Sequence, residues 1–231
     1  MNGLIFLNYS GLVYTLLLTI CFYSKKRTNT NEQKIYGVML IISLLELIFG
    51  IFASFAIFYN SSKFIMAFST KIYLLFILFW IHTFTYYIVS ISNLSNKKKY
   101  KSILSGVLLI SSLLLIIFPM DFVINDNNTM YSTGYGVFVS YGATLIYIFV
   151  CVFVGIKEIK KINKKYIPLW LFLGIGSICM IVQMINPEYF LIVPLEVFVT
   201  SVMYFTIENP DMKMIEQLNI AKEDAEKANR A

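Results

Sequence analysis

The sequence predicts an all-α membrane protein: seven membrane-crossing helices, N-terminus outside, followed by a cytoplasmic coiled-coil helix. Three observations carry this. Of 231 residues, 58% are apolar and only 14% charged, against about 25% charged in soluble domains. A water-soluble chain could not cover so much apolar surface, and disorder requires the opposite composition. The apolar residues fall in runs of helix length, and the bases cluster in alternate loops.

A membrane helix needs about 20 mostly apolar residues. That ruler finds spans at 4–23, 35–59, 72–92, 102–119, 137–156, 167–186 and 189–207. Barrel strands would instead alternate polar and apolar over about ten residues. The first run lacks a basic start and a small-residue cleavage site, so it reads as a retained span rather than a signal peptide. Between the sixth and seventh runs only a tight turn remains, at Asn186, Pro187 and Glu188.

Bases gather after span 1 (Lys25, Lys26, Arg27, Lys34), after span 3 (Lys97, Lys98, Lys99, Lys101) and after span 5 (Lys157, Lys160, Lys161, Lys164, Lys165). The intervening loops hold only Lys63 and Lys71 beside Asp121, Asp126 and Glu188. The positive-inside rule then puts loops 1, 3 and 5 in the cytosol, with the N-terminus out and the C-terminal tail in. The net charge of +6 therefore marks membrane orientation, not a nucleic-acid site. Tyr36, Tyr59, Tyr100, Tyr166, Trp170 and Tyr189 lie at span ends, where an interfacial aromatic belt is expected.

Cys21, Cys151 and Cys179 lie in apolar runs without metal-ligand spacing, and His82 is the only histidine. Neither a zinc site nor a disulfide framework is expected. The external loop 120–136 is too short for a folded ligand-binding domain, so an external small ligand would meet that loop or the bundle itself.

Domain organisation changes at residue 208. The spans occupy 1–207; the stretch 208–231 holds six acids and four bases. Asn209-Pro210-Asp211 is a helix-start signal. Met214, Leu218, Ala221, Ala225 and Ala228 follow at spacings of four and three, the seam of a paired helix. A solvated amphipathic tail is the plainer alternative.

The run Ala221-Lys-Glu-Asp-Ala-Glu-Lys-Ala-Asn-Arg-Ala231 resembles the signalling helix that enters the dimerisation and phosphoacceptor domain of bacterial sensor histidine kinases. The seven-span body resembles the N-terminal sensor region of some of these kinases. The resemblance implies a sensory input module in the bacterial plasma membrane, a homodimer through the cytoplasmic helix and a response regulator as downstream partner. It implies no catalytic residue or cofactor within these 231 residues, because the phosphoacceptor box and the ATP-binding boxes are absent from them. ATP and Mg belong to the missing kinase region. A similar input module can precede a diguanylate cyclase.

Ionisable groups inside a bilayer are costly and mark candidate sites. Glu46 shares a face with Ser43, Gly50 and Ser54; His82 shares one with Tyr86; Glu196 lies two residues after Pro194. At about 1.5 Å per residue, Glu46 and His82 reach similar depths and could pair. Such a pair is either a static lock or a polar pocket responding to ligand or pH. Pro194 reads as a hinge beside an outward-facing cavity, or as a simple bend. Trp80, Tyr131, Tyr135 and Tyr141 are pocket-wall or core aromatics. A retinal receptor needs a lysine in the last span, and 189–207 has none. A small transporter using the buried acids as a proton relay stays open, although no internal repeat supports it.

Overall fold

The computed structural model describes residues 2–24, 30–94, 96–124, 130–159, 164–186, 191–207, 218 and 221–222. Seven long helices dominate these residues: α1 (Asn2–Ser24), α2 (Asn31–Phe58), α3 (Lys63–Ile91), α4 (Lys97–Ile117), α5 (Tyr135–Glu158), α6 (Ile167–Ile185) and α7 (Ile192–Ile207). α1–α5 are long and apolar enough to cross a membrane, whereas α6 and α7 are shorter apolar helices. All-α architecture holds, with one addition. A two-stranded antiparallel hairpin, β1 (Asp121–Ile124) and β2 (Met130–Thr133), pairs Asp121 with Thr133 and Ile124 with Met130. It occupies the 120–136 segment expected to be a plain loop. Its sequence signal is two short runs around an Asn/Asp-rich centre.

Two helices begin earlier than the apolar runs imply, because polar residues cap them. Thr30 and Gln33 form a reciprocal capping box that starts α2 at Asn31. The Ser62 side chain accepts from the Ile65 backbone N–H and starts α3 at Lys63, so Lys63 and Lys71 lie on helix rather than loop. The α2–α3 turn is correspondingly short, with Asn60 left-handed at φ 46°, a conformation that asparagine tolerates better than most residues. Gly134 turns the hairpin into α5 at φ 101°, where a side chain would be strained.

α2 and α3 form the most extensive helix pair, α1 lies against α2 and α7, and α3 also meets α4 and α5. α5 leads to α6, and α6 to α7, closing the ring back onto α1 and α2. The largest core cluster includes Phe22, Tyr36, Trp80, Phe84, Tyr147, Phe172 and Met203. A smaller one of Leu78, Leu115, Met120, Val137 and Ala143 lies beneath the hairpin. Outward-facing side chains are also apolar: Leu109, Ile110, Phe138, Phe149 and Ile178 are exposed. That is an expensive surface in water and an ordinary one in hydrocarbon.

The expected aromatic belt forms only in part. Tyr59 and Trp170 are exposed, but Tyr36 is fully buried and Tyr166 nearly so. Tyr36 turns inward because its hydroxyl finds an acceptor there, the Thr200 carbonyl at 3.0 Å. Tyr189 lies outside the described residues.

The two ends of the bundle differ in chemistry. One carries the hairpin. The other carries Lys97, Lys98, Lys99, Lys101, Lys157 and Lys165, with few acids among them. Glu32 pairs with Lys165 at 2.8 Å. The Glu158 carboxylate accepts from the Asn93 backbone N–H at 2.8 Å and the Asn93 side-chain amide at 3.1 Å, clamping the end of α3 to α5. The Tyr166 hydroxyl donates to the Ile91 carbonyl at 3.2 Å. Burial, with the Glu158 carboxylate beside it, pushes that hydroxyl up to about 12.

Candidate functional site

The small-polar face of α2 points into the bundle. Ser43, Glu46 and Gly50 are buried, and Ser54 accepts from the Asn8 side-chain amide of α1 at 3.3 Å. Gly50 permits a close approach: a Cβ there would lie 3.1 Å from the Tyr73 ring of α3. α7 brings its own polar face to the same place, with Glu196 5% exposed and Thr200 1% exposed.

These faces put two carboxyl groups together. Glu46 is 1% exposed, and its carboxyl lies beside that of Glu196. Glu46 Oε1 makes no hydrogen bond among the described residues. The expected pairing of Glu46 with His82 is thus replaced by a carboxyl–carboxyl pair between α2 and α7. Depth along the spans was compatible with a Glu46–His82 pair. Helix rotation separates them. His82 faces α5, its Nδ1 3.4 Å from the Tyr147 hydroxyl, which donates in turn to the Leu104 carbonyl of α4. Tyr86 lies beneath the Lys101 ammonium at 4.2 Å. Neither His82 nor Tyr86 borders the cavities described next.

Above the carboxyl pair the bundle opens toward the hairpin. One cavity, with about 850 Å³ of empty space including its mouth, is bordered by Asn8, Ser54, Thr70, Tyr73, Tyr131, Ser132, Tyr141 and Gln183. A second, of about 560 Å³, continues inward past Trp80, Phe172, Met180 and Leu195 to Glu196. The two share Ile77, Tyr141, Thr144, Gln183 and Ile192, and therefore form one cleft running from the hairpin to Glu196. No lysine, arginine or histidine stands among its described lining residues.

Several polar groups in this region are unsatisfied. Gln183 Oε1, Thr70 Oγ1 and Ser43 Oγ are buried and make no hydrogen bond among the described residues. Buried orphans of this kind are uncommon and call for a reason. Gln183 and Thr70 border the cleft directly. Neither stood out in the sequence, where attention fell on ionisable groups; the available signal was an uncharged amide inside the apolar run Ile181-Val182-Gln183-Met184.

Beneath the cleft, Thr200 is gripped from two sides. The Trp80 indole N–H donates to its hydroxyl at 3.2 Å, and the Tyr36 hydroxyl to its carbonyl. Trp80 also stacks on Phe84, with centroids 5.4 Å apart. Of the other aromatics, Tyr131 and Tyr141 line the cleft, whereas Tyr135 is exposed and does not border it.

Pro194 is not the mid-helix kink that the span 189–207 implied. α7 starts at Ile192, so Pro194 falls in its first turn, where backbone N–H groups have no helical acceptor and a missing one breaks nothing. Its hinge role accordingly loses its physical basis. Pro194→Ala is expected to lower stability by about 0.4–1 kcal/mol through the freer unfolded chain. Removing a proline from a helix interior would instead raise stability by about 3 kcal/mol. Detergent-denaturation midpoints of the two proteins distinguish these outcomes.

Of the tail seam, Leu218 and Ala221 are helical and exposed; Met214, Ala225 and Ala228 lie outside the described residues. No family model matches the sequence, and a search of the curated proteins finds no match.

Proposed function

We propose that this chain is the membrane-embedded sensory input module of a bacterial sensor histidine kinase. The cleft at the hairpin end receives an external small ligand, and α7 relays its occupancy to a dimeric cytoplasmic helix. The observation that carries this reading is the position of Glu196. It forms the inner wall of the cleft and belongs to the last helix before the 208–231 tail. A ligand that binds one placement of α7 better than another shifts the balance between them, and nothing further is needed for a switch.

The remaining features agree. The lysine-rich end takes the cytosolic side under the positive-inside rule and the hairpin end the outer side. The seam from Met214 to Ala228 supplies the homodimer contact, and the resemblance of 221–231 supplies the output. A response regulator is then the downstream partner, and ATP with Mg serves only the kinase region beyond this segment. On the same layout the output could be a diguanylate cyclase, recognised by a Gly-Gly-Asp/Glu-Glu-Phe box in place of Ser-His-Glu.

The test is Leu218→Asp in the protein with its output region. A charge in the seam separates the tails, so stimulated and unstimulated autophosphorylation rates become equal while the bundle keeps its melting temperature. An unchanged response would refute the relay. A proton-coupled transporter is the second reading, favoured by the buried carboxyl pair facing an open cleft. It predicts substrate uptake by liposomes containing the 231-residue chain alone.

A further inference from the structure

The inner cleft has the composition of a receptor for one chemical class. Two carboxyl groups side by side out of water are stabilised by a shared proton or by a neighbouring cation. Here Glu196 borders the cavity, Glu46 stands behind it, and no basic side chain balances them among the described lining residues. A second, independent feature points the same way: Gln183 is 8% exposed, lines the cavity, and its Oε1 makes no hydrogen bond among the described residues. The site thus offers carboxyl and amide oxygens, with only neutral donors such as the Tyr141 and Thr144 hydroxyls beside them and no basic side chain among the described lining residues.

The walls exclude a bare metal ion. Calcium takes six to eight oxygens and magnesium a tight octahedron, whereas Trp80, Phe172, Ile148 and Leu195 supply aromatic and aliphatic surface. The inner cavity joins the one beneath the hairpin in a single open cleft, the concave, mostly apolar setting in which small organic molecules bind. Aromatic faces also favour an organic cation.

We propose that the cleft binds a small organic amine. Its ammonium donates to Glu196 and to Gln183 Oε1, and its apolar body lies against the paired Trp80 and Phe172 rings. This deepens the receptor reading and rests on it.

The chain contains two tryptophans, so Trp170→Phe leaves Trp80 as the sole fluorophore, at the site itself. With this protein in lipid nanodiscs, 2-phenylethylamine is expected to change Trp80 emission saturably, while 2-phenylethanol, of equal shape but uncharged, does not. Glu196→Gln weakens the amine by about tenfold or more, as loss of a charge-assisted hydrogen bond implies. Should that variant fail to fold, Thr144→Phe keeps every charge and fills the cavity from α5, and it too abolishes the response.

Equal responses to amine and alcohol would overturn the proposal, showing an apolar pocket only. So would silence across a series from methylammonium through 2-phenylethylamine to tryptamine, or an emission change that follows pH or sodium alone. Binding is read at Trp80 and relay at Leu218, so failure of the amine leaves the relay prediction standing, and the reverse.

Discussion

Trp80→Ala is expected to destabilise the bundle by about 3 kcal/mol, the largest single effect foreseen here. Truncating a buried tryptophan costs about 3–5 kcal/mol in protein cores. The lower end applies when helices come apart within lipid, because their apolar faces never return to water and only packing and hydrogen bonding are lost. Trp80 is 1% exposed and stacks on Phe84. Its removal also leaves the Thr200 hydroxyl without the indole donor. Trp80→Phe separates the two contributions: it keeps most of the packing, removes only the hydrogen bond and should cost about 1 kcal/mol. Steric-trap or detergent titrations of the three proteins give the comparison. A Trp80→Phe loss as large as that of Trp80→Ala would show that the hydrogen bond, not packing, holds α3 to α7.

The second large effect concerns the carboxyl pair, and its signature is non-additivity. Glu46→Leu strands the Glu196 carboxyl in a site built for two polar groups, at a cost of about 1–3 kcal/mol. Glu196→Leu does the same to Glu46. Replacing both removes the stranded group, so the double variant should be more stable than the sum of the single losses by about 0.5–3 kcal/mol, and it can approach the parent protein. Ligand response should vanish in all three. Strict additivity in the cycle would mean that the carboxyls do not interact.

The helices were readable where they depend on run length, and their contacts unreadable where these depend on rotation. Each apolar run overlaps a helix, and five of these helices are long and apolar enough to cross a membrane. The starts of α2 and α3 escaped because Thr30 and Ser62 cap through polar residues that hydropathy places in loops. Glu46 and His82 were legible as ionisable groups inside apolar runs. Their partners were not, since depth along a helix says nothing of which neighbour the face meets. Glu46 meets Glu196, and His82 meets Tyr147. Pro194 misled because its effect is decided by distance from the helix start, and the apolar run begins at 189 while α7 begins at Ile192. Tyr36 carried an interfacial signature and ended in the core because Thr200, 164 residues later, offered it an acceptor.

The double grip on Thr200 has a mechanical consequence. Sliding α7 along its axis would break both the Tyr36 and the Trp80 hydrogen bonds, whereas tilting about that point strains them little. In a relay through α7, Thr200 would therefore serve as the fulcrum of a first-class lever. Glu196 sits about 6 Å from it and Ile207 about 10 Å beyond it, at about 1.5 Å per residue. A sideways push at the carboxyl would then emerge at Ile207 reversed in direction and enlarged by a factor of about 1.7.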